Sequence, residues 1–355
     1  MNLVTFEPSN LSTFKPFNLQ THFQPSNSHI VMLSRVADSL YWMSRYLERA
    51  EHIARVVDVH LNLLLELPAT GRRTHPLLDS LPAKVSAAQD AGYYEKARAL
   101  TFDSANESSL AYCIERAREN ARQVREQISS EMWEQLNQLF LFVRRPSSFE
   151  SWDAEPHTFF QAVKEGSHLF QGIADSTMNH SEGWDFIQVG RFMERGCSVA
   201  ALLDAHYAEF HRTGTDTVDP DDYFDWVSLL KSCTAFEPYC KVYTANLRPY
   251  AIAEFLLLNA EFPHSVRFSI EMVQNGLSGI AEATRAHKSG RAQRLAGRLV
   301  SGLNYSQIDE IIAQGVNRYL KDIQQQCAGI HSAFYQTYIA YPIDTARLRL
   351  ESSEQ

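Results

Sequence analysis

The sequence predicts an all-α fold, a bundle of long helices with an internal duplication of two related halves. Apolar residues recur at spacings of three and four through most of the chain, no segment alternates with the period of two that a half-buried strand needs, and one charged phrase occurs twice. Composition agrees with this. The 355 residues include only 15 glycines and 13 prolines, too few for a turn-rich β architecture, and 45% are hydrophobic, enough to bury a sizeable core.

Residues 1–31 stand apart. They are rich in Asn, Ser, Thr and Pro with isolated Phe, repeat "FKPFN" loosely as "FQPSN", and show no period; they read as a disordered extension or as an upstream start ahead of Met32. From Leu33 the pattern changes. Val36, Leu40, Met43, Leu47, Ala50, Ala54, Val57, Leu61 and Leu64 follow one another at steps of four and three, which makes one helix of about 50 Å ending at Pro68. The same stripe returns at Leu110, Ile114, Ala117, Ala121, Val124 and Ile128, and again at Phe186, Val189, Met193, Gly196, Ala200, Leu203 and Tyr207. Residues 159–177, 223–242, 250–258, 266–284, 292–303 and 308–341 also carry the helical period, while punctuation residues mark 68–82, 145–156 and 213–222 as loops.

The duplication is legible in the sequence itself. "SRYLERAEHIARVVDVH" matches "GRFMERGCSVAALLDAH", pairing Arg45 with Arg191, Glu48 with Glu194, Arg49 with Arg195, Asp58 with Asp204 and His60 with His206, always 146 apart. A second pair, Ser109 to Glu115 and Ser265 to Glu271, follows 156 apart, so the second half carries a ten-residue insertion. The expected organisation is an extension over 1–31, one helical domain over 32–345 with halves near 32–180 and 181–345, and a flexible tail over 346–355.

Several function classes are excluded or disfavoured. Thirty-three basic against 42 acidic residues give a net charge of −9, which argues against binding a phosphate backbone as the main activity. Cys113, Cys197, Cys233, Cys240 and Cys327 are scattered and odd in number, so neither a disulfide framework nor a zinc cluster is indicated. No apolar run approaches the roughly 20 residues of a membrane span, and no secretory signal opens the chain; the expected address is the cytoplasm. Gly-rich phosphate loops and a nucleophile elbow are missing, so no cofactor is expected. Asp58 and Asp204 stand two residues from His60 and His206, on a different side of a helix, and Glu48 and His52 are four apart, not the three of the Glu-x-x-His pairs of helical diiron sites, so no metal is expected.

What remains is Glu-Arg at one fixed point of the helical stripe: Glu48-Arg49, Glu115-Arg116 and Glu194-Arg195. In the first and third copies Arg45 and Arg191 precede by three, so each cassette presents one carboxylate flanked by two guanidiniums on one helix face. None lies on the apolar stripe, so the cassettes face solvent or a second interface. A pseudo-twofold packing of the halves would bring the two cassettes together, either as a buried structural ion-pair network or as an anion-binding site, since the planar arginine fork suits carboxylate and phosphate.

At these residues the sequence resembles the bacterial alpha-E domain family, on "MLSRVADSLYWMSRYLERAEHIAR", "ARENARQVREQISSEMWEQLN", "LFQGIADSTMNHSEGWDFIQVGRFMER" and "AEFLLLNAEFPHSVRF". The family opens at the Met-Leu-Ser-Arg phrase, consistent with reading 1–31 as an extension, and Gly196 stands where many members have alanine. The resemblance implies partners: a circularly permuted ATP-grasp ligase and a transglutaminase-like peptidase, beside which genes of the family are usually found. The expected function is therefore a helical accessory or substrate-binding partner of an ATP-grasp amide ligase, with the Arg/Glu cassettes holding an anionic group of a peptide or other ligand. The alternatives are an enzyme using Glu48 or Glu194 as general base, and a purely structural network.

Overall fold

The computed structural model describes residues 34–66, 76–81, 92–210, 216–284 and 290–340. The extension over 1–31, the helix stop at Pro68 and the tail over 346–355 lie outside the described residues. Those residues are all-α: α1 (Ser34–Glu66), α2 (Pro76–Asp79), α3 (Tyr93–Phe102), α4 (Leu110–Gln123), α5 (Ser130–Arg144), α6 (Pro146–Ala154), α7 (Pro156–Thr177) and α8 (Glu182–Phe210). They continue as α9 (Tyr223–Ser232), α10 (Phe236–Tyr243), α11 (Pro249–Leu258), α12 (Val266–Thr284), α13 (Gly290–Tyr305), α14 (Ile308–Gln314) and α15 (Val316–Phe334), which runs into a π-helical turn over Tyr335–Ile339.

Two long helices form the centre. α1 packs against α8 along its length, and each carries its own escort: α4 and α7 flank α1, with α5 closing on both, while α12 and α15 flank α8, with α13 closing on both. The predicted stripe of α1 faces this core, but burial extends well beyond it, to Tyr41, Ile53 and Val56 at 0% exposure, because the helix is surrounded. Each such side chain contributes roughly 1.5–3 kcal/mol of apolar burial. Ser109 and Ser265 cap α4 and α12 in the same manner, each hydroxyl accepting from the backbone N–H three residues on, at Tyr112 and Phe268. The two central helices approach closely where Gly190 lies against α1. A methyl group there would overlap the Tyr41 carbonyl and the Ser44 hydroxyl, so only glycine allows this approach.

Some expected boundaries are corrected. Residues 145–156, expected as a loop, form α6, with Pro146 and Pro156 each in the first turn of a helix, where a missing N–H costs nothing. The run over 223–242 is broken between α9 and α10, where Thr234 adopts a left-handed φ of 53°. The run over 308–341 is broken at Gly315, whose φ of 93° suits glycine and ends α14. α3 and α5 were not anticipated.

Candidate functional site

The two Arg-x-x-Glu-Arg cassettes meet at the α1–α8 crossing and exchange partners. Arg45 and Arg49 of α1 both grip Glu194 of α8: Arg45 Nε lies 2.7 Å from Oε2, while Arg49 places Nε 2.6 Å from Oε1 and Nη2 3.1 Å from Oε2. In return Arg195 forks onto Glu48, with Nε 2.5 Å from Oε1 and Nη2 3.1 Å from Oε2, and Arg191 approaches the same carboxylate at 3.6 Å. The charged face therefore turns to a second interface, not to solvent: Glu48 and Glu194 are each 4% exposed. Aromatic faces back the guanidiniums, Trp42 behind Arg45, Tyr46 behind Arg49, and Phe192 behind both Arg191 and Arg195.

The electrostatics follow from this geometry. Burial alone would raise the Glu194 carboxyl, but the guanidiniums of Arg45 and Arg49 more than offset it and hold the group down at about 2. Such a carboxylate is a poor general base near neutral pH, which disfavours the enzymatic alternative for Glu194. Arg45 and Arg49 are pushed up, burial opposing and Glu194 prevailing. Arg191 goes the other way. Burial and then its neighbour Arg195 lower it, and its Nε is buried without a hydrogen-bond partner. Each carboxylate faces two guanidiniums, so each side of the network, Arg45 and Arg49 on Glu194 and Arg191 and Arg195 on Glu48, keeps one surplus positive charge.

The third expected pair is not brought here. Glu115 and Arg116 lie on α4, where Glu115 is half-exposed and contacts Arg144 at 3.4 Å, while Arg116 is exposed. A Glu-Arg dipeptide alone does not distinguish the copies; the preceding arginine three residues upstream does.

On the Arg45–Arg49 side of the network lies a cavity of about 340 Å³, walled by α1, α8 and α15 and lined among others by Arg45, Arg49, His52, Glu194, Gln324 and His331. Gln324 Nε2 is a buried donor without a partner. His331 Nδ1 is 2.7 Å from the Tyr41 hydroxyl and 3.4 Å from Arg45 Nη1; burial, then the charge on Arg45, pushes His331 down to about 4, so it is neutral at physiological pH. Burial also lowers His52. The sequence reading missed Gln324 and His331, because residues on a separate amphipathic helix carry no local mark of the cavity they wall.

A second paired feature lies further along the two central helices. Asp58 Oδ2 holds Lys164 Nζ at 2.6 Å and Asp58 Oδ1 lies 2.9 Å from His157 on α7, while its counterpart Asp204 holds Asn317 of α15 at 2.6 Å. Each aspartate thus ties its helix to the flanking one. His60 and His206 are both fully buried and point elsewhere, His60 beside Tyr93 and His206 against Trp226.

Comparison with known proteins accords with this frame. Uncharacterised proteins of Mycobacterium bovis and of two strains of Mycobacterium tuberculosis are each 25% identical over 334 residues. The match covers 84% of this chain but only 35% of each relative, so the chain spans about a third of the length of these relatives. No solved structure matches. The model of the Alpha-E family, described as a predicted alpha-helical domain with a conserved ER motif, matches residues 32–339, which contain both reciprocal Glu-Arg pairs, and the chain belongs to that family.

Proposed function

We propose that the protein is a cytoplasmic binding module, an accessory or substrate-binding partner of an ATP-grasp amide ligase, whose α1–α8–α15 cavity receives a carboxylate or phosphate group. One observation carries the reading: two guanidiniums, Arg45 and Arg49, share the single Glu194 carboxylate and leave one surplus positive charge beside a cavity where the Gln324 Nε2 donor is unpartnered. Buried uncompensated charge is costly, and an anion seated there would offset it while accepting from the free donor. The ligase and the transglutaminase-like peptidase come from the family resemblance alone. The reciprocal bridges, the matched caps of α4 and α12 and the matched aspartate ties support the reading of the domain as a duplicated unit.

The tight engagement of both Arg45 and Arg49 by Glu194 favours a second reading, a purely structural network. Co-purification with a circularly permuted ATP-grasp ligase from the same organism, with ATP consumption measured with and without this chain, separates the two. A complex and an altered turnover are expected; a ligase indifferent to the chain, with no complex, would reject the partner reading.

A further inference from the structure

The cavity holds a second kind of chemistry that the cassettes do not use. Cys197 of α8 and Cys327 of α15 both line it, and both are free thiols. The pair sits on two helices that pack side by side and faces one cavity, the placement that a disulfide across their seam requires. We propose that Cys197 and Cys327 are a two-cysteine redox site, in which Cys197 attacks a small hydroperoxide entering the cavity and Cys327 closes a disulfide across the α8–α15 seam.

The two thiols are set apart from each other and from the rest. The neighbouring Cys327 thiol and, against the opposing effect of burial, the guanidiniums of Arg45 and Arg49 lower the Cys197 thiol, while Cys197 and burial raise Cys327. Nucleophilic attack requires the thiolate, so Cys197 is the attacking sulfur and Cys327 the resolving one. Cys113 and Cys233 are buried, and burial pushes each up to about 12. In the first step the Cys197 sulfur bonds to one peroxide oxygen and the O–O bond breaks; Cys197 becomes a sulfenic acid, and the other oxygen takes a proton from solvent and leaves as water or alcohol. In the second step the Cys327 sulfur attacks the sulfenic sulfur, loses its proton, and the S–O bond breaks with release of water. Two thiols are oxidised by two electrons and one hydroperoxide is reduced. A low-molecular-weight dithiol reverses the change.

This inference stands independently of the anion-binding reading: a cavity that takes up no phosphate still carries the thiol pair. To test it, reduced full-length protein is treated with stoichiometric hydrogen peroxide, blocked with N-ethylmaleimide and mapped by mass spectrometry. A peptide cross-linked through Cys197 and Cys327 is expected, reversed by dithiothreitol, with Cys197 oxidised about tenfold or more faster than the half-buried Cys240. In Cys327→Ser the sulfenic acid at Cys197 persists and is trapped by dimedone; in Cys197→Ser, Cys327 stays reduced. Oxidation of Cys197 no faster than Cys240, or a disulfide between any other pair, would overturn the proposal, and this map of the unsubstituted protein does not depend on how either variant folds.

Discussion

At the scale of single residues, the exchange of partners makes the four arginines unequal. Arg195 is a fork on a buried carboxylate, whereas Arg191 stands 3.6 Å away with its Nε unbonded. Arg195→Met strands Glu48 and is expected to cost about 3–5 kcal/mol in chemical denaturation, and Arg191→Met about 1 kcal/mol or less; equal losses would contradict the assignment. Arg45 and Arg49 share the single Glu194 carboxylate, and Arg45 is only 12% exposed. Titration adds two windows. The Glu194 carboxyl is held at about 2 against an ordinary 4.5, so its contribution, about 3 kcal/mol, is complete above pH 4.5 and lost as pH falls toward 2. His206, whose nitrogens have no hydrogen-bond partner, is pushed by burial from 6.5 to about 3. The unfolded chain therefore takes up its proton first, and stability that is complete above pH 6.5 declines as pH falls from 6.5 to 3. Stability measured across this range in His206→Leu should show a shallower decline than the natural protein; an unchanged slope would remove His206 from the account.

At the scale of elements, the close approach of α1 and α8 depends on one missing methyl group. Gly190→Ala would drive the helices apart at Tyr41 and Ser44 and lengthen all the cassette bridges at once, so a loss on the order of 3 kcal/mol or more is expected, read as a fall in the thermal midpoint. Retained stability would mean that the crossing tolerates separation. The long helices were legible because an unbroken three-four period is a strong signal: α12 was expected over 266–284 and spans Val266–Thr284. The breaks were less so. Pro146 and Pro156 read as loop residues but open helices, and the stop at Gly315 was hidden inside an apolar period that continues on both sides of it. Of the site, the cassettes at Arg45, Glu48, Arg49, Arg191, Glu194 and Arg195 were visible because they repeat. Their mutual pairing was an inference from symmetry, and Gln324 and His331 were invisible, since helix-to-helix placement is a tertiary fact that no local pattern encodes.

At the scale of the molecule, α1 and α8 share one continuous core, and each supplies the other's counter-charges. A fragment covering 32–180 would keep Glu48, Arg45 and Arg49 but lose Glu194, Arg191 and Arg195, exposing the apolar face of α1 as well. It is expected to be largely unfolded alone by circular dichroism and to fold when mixed with 181–345; an independently stable half would contradict the shared core. The central claim is that the surplus positive charge of this network serves an anion in the α1–α8–α15 cavity. Calorimetric titration of the full chain with inorganic phosphate and with a short acidic peptide, repeated on Gln324→Leu, tests it most directly, because Gln324 lines the cavity and has no part in the ion pairs. Saturable binding of at least one ligand, weakened about tenfold in Gln324→Leu at unchanged melting temperature, is the predicted result; heats of dilution alone, or binding indifferent to Gln324, would leave a purely structural network in its place.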